Sequence, residues 1–297
     1  MKIYYYYIVM SRHRFNLDSI IRKSFKEVIE YFNNNGIKIE DDLKLIIVES
    51  SEELWQKYGE IRESTIGMYN SRTKEIYIIK NSIKNSVNKV SSNLNESYIG
   101  NLFIISRNGV LWPVLINNND IKKIIAKADA ESILIHEIGH YILYSIGSND
   151  EWKASFVEFL VYFYKNELYR YSKVYEIMDE NTKRCEEFIQ EKNSSPYSLG
   201  YCFANDIIYA YENILNKDKQ SPKLNIKDMI EKLKFFYKDY YEEITKKYNE
   251  TLRDYIETAK TLKAKYAMLS WMTNCLLEKP FNIMDNINEW ENYVYFR

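Results

Sequence analysis

The residues whose types and spacing suit chemistry are His136, Glu137 and His140, which form a His-Glu-x-x-His motif in an apolar run. On a helix, positions four apart lie on one face, so both imidazoles can reach a single tetrahedral zinc ion. Glu137 follows the first histidine and can take a proton from a zinc-bound water without filling a coordination position. The chain has three histidines in all, which makes a chance occurrence of this spacing rare.

A catalytic zinc ion usually has three protein ligands and one open position, so a third ligand is required. His13 lies more than a hundred residues earlier beside two arginines and is predicted to be a solvated loop residue. The cysteines, which have no metal-binding spacing, are Cys185, Cys202 and Cys275. The remaining candidates are the downstream carboxylates Asp150, Glu151 and Glu158.

Helix geometry favours one of these carboxylates. If the motif helix turns back at Gly147 and a second helix returns antiparallel from Asp150, Glu158 comes level with the two histidines. Glu151 would instead lie level with a position six residues past His140, about 9 Å along the axis at 1.5 Å per residue. Glu158 is therefore predicted as the third ligand, with Glu151 as the alternative.

Length and composition limit the class of protein. The chain has 297 residues, enough for one large domain or two moderate ones, and a formal net charge of -1. This charge argues against nucleic-acid and anionic-membrane partners. Three unpaired cysteines, no spanning segment and an N-terminal run too short for a secretory signal predict a cytoplasmic protein. The sequence leaves the oligomeric state open.

The region before the motif alternates strand and helix patterns. Residues 2–10 and 43–48 predict strands, and residues 17–32 predict a helix capped by Asn16 and stopped by Gly36. Ser50 to Glu53 has the capping-box pattern of a second, short helix. Residues 65–69 and 75–79 predict a hairpin, as do 102–106 and 110–116, joined through Asn108 and Gly109. The segments up to residue 79 predict a small mixed sheet with helices.

Residues 81–97 allow two interpretations. Their Asn, Ser and Lys content favours a mobile loop, whereas the helical spacing of Ile83, Val87, Val90 and Leu94 indicates a weak surface helix.

From residue 121 onward the patterns are helical. Helices are predicted over 121–146, 150–169, 174–191 and 197–215, followed by a long amphipathic stripe over 226–262 and a short last helix with Trp290. The polar stretch 216–224, with Pro222, is the best linker candidate. We therefore predict an α+β protein with an N-terminal α/β subdomain over 1–120, a helical zinc-site subdomain over 121–216 and a C-terminal helical region over 225–297.

With these residues, the chain resembles the gluzincin group of zinc metallopeptidases, in which a glutamate on the helix after His-Glu-x-x-His completes the zinc site. Residues 157–162 are similar to the family's glutamate helix, although Phe159 stands where the family usually has glycine. The segment 196–201 is similar to a Pro-Tyr-x-x-Gly-aromatic segment of aminopeptidase-like members, which implies that Tyr197 stabilises the oxyanion. Residues 67–70 are similar to a Gly-x-Met-Glu-Asn strand that lines the cleft, without its glutamate.

A rival alignment changes the third ligand. Residues 151–156 resemble the Glu-x-x-Ala segment of the phage-repressor-cleaving peptidases, which would make Glu151 the ligand. Under either alignment, the expected function is zinc-dependent hydrolysis of peptide bonds in a peptide or protein substrate. The alternative is an inactive or regulatory binding protein on a metallopeptidase scaffold.

Overall fold

The computed structural model describes residues 15–59, 61, 64–93, 102–105, 111–114, 118–144, 150–165, 196–209 and 224–233. The elements are α1 (Leu17–Asn34), β1 (Lys44–Val48), α2 (Ser51–Tyr58), β2 (Gly67–Asn70), β3 (Glu75–Ile79), α3 (Lys80–Asn93), β4 (Leu102–Ile105), β5 (Leu111–Val114), α4 (Asn118–Tyr144), α5 (Glu151–Lys165) and α6 (Pro196–Tyr209). Residues 226–233 are also helical. The chain divides into two compact units, Met1–Tyr141 with Tyr162–Asp179, and Ile142–Val161 with Glu180–Arg297.

The first unit contains a three-stranded mixed sheet in the order β1-β3-β2. β3 is central, parallel to β1 and antiparallel to β2, so that Gly67 lies opposite Ile78 and Tyr69 opposite Ile76. Isoleucines and a tyrosine make β3 apolar on both faces, as a covered central strand requires, and residues 76–79 are all buried. The predicted hairpin and the mixed sheet are confirmed. β4 and β5 pair as the second predicted hairpin, in a sheet of their own.

The two faces of this sheet are covered by different helices. Tyr77 and Ile79 face α2, where Leu54 completes a buried cluster that Met68 also contacts. Because side chains alternate across a strand, Gly67 and Tyr69 lie on the opposite face. That face meets α4: the Tyr69 ring packs edge-on against Tyr141 at 5.8 Å between centroids. The sheet therefore supports the motif helix directly.

Ion pairs bind α4 to its neighbours in the first unit. Glu131 is buried, and its carboxylate accepts from Lys165 Nζ at 2.7 Å. Lys127, one turn earlier on α4, lies 2.7 Å from Glu27 of α1 and 3.6 Å from Glu131. A buried carboxylate needs such partners, since an uncompensated buried charge would destabilise the fold strongly.

In the second unit, α6 packs closely on α5. A Cβ added to Gly200 would collide with the Trp152 carbonyl oxygen and lie 2.7 Å from Ser155 Cβ, so glycine is required at this crossing. The Phe156 and Phe203 rings pack at 4.9 Å between centroids beside it. Residues 152–161 of α5 are all buried, which explains the continuous apolar run in this stretch of the sequence.

Two details differ from the sequence predictions. α3 is a helix in which Ile83 and Val87 are buried, so the loop interpretation of 81–93 is wrong. Two apolar residues one turn apart outweighed a polar composition, because burial of one face stabilises a helix of poor intrinsic propensity. The capping box is also wrong: the Ser50 side chain makes no capping bond, and Glu53 accepts from the backbone N–H of Glu49 instead.

Other predictions are confirmed or lie outside the described residues. Asn16 caps α1 by accepting from Ser19 N at 3.1 Å, and Gly36 follows its end with φ of 77°. The strand over 2–10, the helix over 174–191 and the stripe beyond residue 233 lie outside the described residues. The three predicted domain ranges and the cytoplasmic location stay predictions. Within the described part of the chain, every helix is too short or too polar to cross a membrane.

Candidate metal centre

His136 and His140 of α4 point their rings toward one place. They lie one helical turn apart, and the two Nε2 atoms are 3.1 Å from each other. The rings meet edge to face, with centroids 4.8 Å apart. Two nitrogens bound to one tetrahedral zinc ion at the usual 2.0–2.1 Å would be separated by roughly 3.3 Å. The imidazole pair therefore has the separation that a shared metal ion requires.

Glu151, the first residue of α5, completes a group with these histidines. One ligand atom from each of His136, His140 and Glu151 lies within 4.8 Å of the other two, among the residues that the structure describes. Two imidazoles and one carboxylate are the donor set of several catalytic zinc sites, which keep a fourth position open. A separation as wide as 4.8 Å exceeds the spacing of bound ligands, so metal binding needs a small side-chain adjustment.

Glu158, the third ligand predicted from helix geometry, is not in that group. Its carboxylate is buried and accepts a hydrogen bond from the Tyr201 hydroxyl at 2.5 Å. Glu151 and Glu158 are seven residues apart, which places them on the same face of α5 and about 10 Å apart along its axis. The structure thus brings the alternative residue to the histidines, and the role of Glu158 as a ligand stays a prediction.

Glu137 lies under the edge strand of the sheet. It is 6% exposed, and its side chain lies against Gly67 of β2: a Cβ added there would be 2.9 Å from Glu137 Oε1. Among the described residues, β2 pairs with β3 on one side only. The predicted general base therefore lies beside an outer strand of the described sheet.

Tyr197, the predicted oxyanion donor, lies in the first turn of α6 and is 41% exposed. Its role in the reaction stays a prediction. Tyr201 is one turn further along α6, and sequence reasoning missed its bond to Glu158. The bond joins residues 43 positions apart in the chain, and spacing along α6 does not indicate it.

A buried lysine next to Glu151 was also missed. Lys153 is fully buried in the first turn of α5, with Nζ 3.7 Å from Asp150 and 5.5 Å from the centre of the Trp152 ring. Burial lowers the pKa of Lys153, and the Asp150 carboxylate partly opposes this effect. The apolar residues that surround Lys153 in the chain are the only sequence signal of its burial.

Comparisons with known proteins do not identify a relative of this chain. No family model, no curated protein and no solved structure matches the chain. The function must therefore be argued from the side chains themselves.

Proposed function

We propose that this protein is a zinc-dependent metallopeptidase in which His136, His140 and Glu151 hold the ion and Glu137 is the general base. The observation that carries the proposal is the convergence of the two imidazole Nε2 atoms, 3.1 Å apart, with a Glu151 carboxylate oxygen within 4.8 Å. Glu137 lies next to the first ligand in the chain and is held against β2.

The donor set supports zinc over harder cations. Imidazole nitrogen suits zinc and its neighbours in the transition series, whereas calcium and magnesium prefer sites made of oxygen ligands. When bound, zinc would lower the pKa of a coordinated water toward about 7 and polarise a substrate carbonyl.

The protein's own residues supply the remaining chemistry. Glu137 takes the proton from the attacking water and passes it to the leaving amine, which a carboxylate can do when it lies within hydrogen-bonding distance of both. Tyr197 remains the proposed donor to the oxyanion that forms from the carbonyl.

Substrate binding is proposed along β2. An extended peptide can add to a sheet edge through main-chain hydrogen bonds, and β2, an outer strand of the described sheet, lies beside Glu137. Main-chain bonds of this kind do not depend on side chains, so the strand supports a peptide substrate without fixing its sequence.

Substituting Glu137 by Gln tests the reaction. Glu137→Gln keeps the size of the side chain and all three ligands, so zinc content should stay the same. Loss of the base should reduce cleavage of a broad peptide library by about 100- to 10,000-fold. Zinc content by mass spectrometry and library digestion with and without a chelator measure both effects.

Three outcomes of that experiment would count against the proposal. Full activity in Glu137→Gln would remove the general base, and chelator-resistant cleavage would remove the metal mechanism. Stoichiometric zinc in a wild-type protein that cleaves nothing would favour the alternative, a regulatory or binding protein on a peptidase scaffold.

A further inference from the structure

Gly67 lies so close to α4 that a side chain at position 67 would collide with the helix. A Cβ at this position would lie 2.5 Å from Ile133 Cγ2, 2.9 Å from Glu137 Oε1 and 3.3 Å from Glu137 Cγ. Ordinary van der Waals contact for such atoms begins near 3.4 Å. The carboxylate of Glu137 thus occupies the space that a side chain at position 67 would need.

We infer that Gly67 is a positioning residue for the general base: its missing side chain lets the Glu137 carboxylate lie against the edge strand. The inference rests on the proposed function for the role of Glu137, and on the geometry of β2 and α4 for the effect. Gly67 itself need not touch the reacting atoms.

The strand cannot relieve the contact by moving away. Gly67 is opposite Ile78 in the ladder with β3, and the Ile66 carbonyl just before it accepts from Ile79 N at 3.1 Å. Two residues further on, the Tyr69 ring packs against Tyr141 of α4. β2 is therefore held to β3 at the contact and to α4 just beyond it.

Of the three atoms that would meet a new Cβ, the carboxylate oxygen gives way most easily. Ile133 Cγ2 is a branch methyl on a buried side chain, stiff at χ1, and Glu137 Cγ lies close to the helix backbone. The terminal torsion of a glutamate is broad and soft, so the carboxylate turns first. A side chain at position 67 therefore displaces the base before it unfolds the sheet.

The direct test is a pair of crystal structures, of the wild type and of Gly67→Ala. The expected result is an intact sheet with the Glu137 carboxylate moved from its wild-type position by about half an ångström or more. An unmoved carboxylate would overturn the inference. This readout does not require activity, so it decides the inference even if the wild type cleaves no peptide and the proposed function fails.

Kinetics on the peptide that the wild type cleaves fastest provide the second readout. In Gly67→Ala we expect kcat to fall by about 10- to 100-fold, because displacement of a reacting group by about 1 Å costs rates of this order. Zinc content and KM should change little. A rise in KM with unchanged kcat would assign Gly67 to substrate binding and overturn the inference.

Two companion variants separate positioning from packing. Leu54→Ala removes a buried side chain of α2 from the cluster on the opposite face of the sheet, and should lower stability without changing kcat. Ile133→Ala with Gly67→Ala removes the methyl clash and leaves the Glu137 contact, so the double variant should lose less stability than the two single losses add up to, while kcat stays low. Recovery of kcat together with stability would show that packing alone was responsible.

A shorter base completes the design. Aspartate in place of glutamate withdraws the carboxylate from β2, so adding Gly67→Ala to Glu137→Asp should cost much less activity than adding it to the wild type. Such non-additivity is the mark of two residues in contact. Equal losses in both backgrounds would show that Gly67 acts on something other than Glu137.

Discussion

Glu151 and Glu158 share one face of α5, and metal affinity distinguishes their roles. Glu151→Ala should weaken zinc binding by more than the roughly 10- to 100-fold that loss of an outer-shell partner costs, because it removes a direct ligand. Glu158→Ala should weaken zinc binding by no more than that roughly 10- to 100-fold. It should instead lower stability by about 1–3 kcal/mol, since the buried Tyr201 hydroxyl loses the Glu158 acceptor. Competition with a chromophoric chelator measures affinity, and urea unfolding measures stability.

The control for this comparison is Tyr201→Phe, which removes the same hydrogen bond from the other side. It should reproduce the stability loss of Glu158→Ala in part and leave the zinc affinity unchanged. If Glu158→Ala loses zinc while Glu151→Ala keeps it, the ligand predicted from helix geometry is the correct one.

For single residues, the sequence predicts the relative positions of the two histidines because they are close together in the chain. A spacing of four residues on a helix fixes where His136 and His140 lie, and the structure has both Nε2 atoms together. The third ligand depends on where α5 begins relative to the two histidines, which spacing alone does not fix. Glu151 and Glu158 satisfy the same helical periodicity, so only a three-dimensional arrangement separates them.

The close crossing of α6 on α5 gives a prediction about a whole element. Gly200→Ala drives a methyl group into the Trp152 carbonyl oxygen, which is backbone and cannot turn aside. Overpacking of this kind typically costs about 1–3 kcal/mol, and α6 should separate from α5. Thermal unfolding and hydrogen exchange of the α6 amides would show the effect.

Tyr197→Phe is the control on the same helix, because Tyr197 is exposed and the change removes one hydroxyl. Its melting temperature should fall by less than that of Gly200→Ala. A Gly200→Ala protein as stable as this control would show that the crossing is looser than the distances indicate.

The ion pairs around α4 predict how stability depends on pH. Burial raises the pKa of Glu27, but the hydrogen bond and charge of Lys127 outweigh it, so the pKa lies below its ordinary value of 4.5. A carboxyl whose pKa is lower in the folded state stabilises the fold above its unfolded pKa and loses this contribution as pH falls through the folded value. The stability difference between wild type and Glu27→Gln should therefore be largest above about pH 5 and shrink below pH 4.5.

Urea unfolding at a series of pH values measures this difference. Glu30→Gln, the same change at an exposed position of α1, controls for altered helix propensity. A difference between wild type and Glu27→Gln that grows toward acid would mean that burial dominates at Glu27 and that the Lys127 pair contributes nothing.

Elements with a clear period were predictable, and elements decided by tertiary contacts were not. The β2–β3 hairpin and α1 follow from alternation, a turn and a cap that are all local in the sequence. α3 depends on burial of Ile83 and Val87, and their helical spacing did not by itself decide between a helix and a loop. The pairing of β1 with β3, parallel and across an intervening helix and strand, is likewise a long-range event.

Across the whole molecule, the division into two compact units falls at positions that composition does not mark. The division falls between Tyr141 and Ile142, inside α4, and again between Val161 and Tyr162, inside α5. A continuous helix can belong to two packed groups because its length exceeds what one core covers, and a composition scan detects only polar breaks. The linker at 216–224 and the three domain ranges stay predictions.

Metal binding should be visible in the stability of the entire chain, because the proposed ligands come from both α4 and α5. A ligand that binds only the folded state stabilises it by about 2.7 kcal/mol at a free concentration 100 times its Kd. Added zinc should raise the melting temperature by several degrees, and a chelator should reverse the rise. His140→Ala should abolish it, whereas His13→Ala, at the histidine outside the motif, should not. An equal rise in His140→Ala would show that the stabilising ion binds elsewhere.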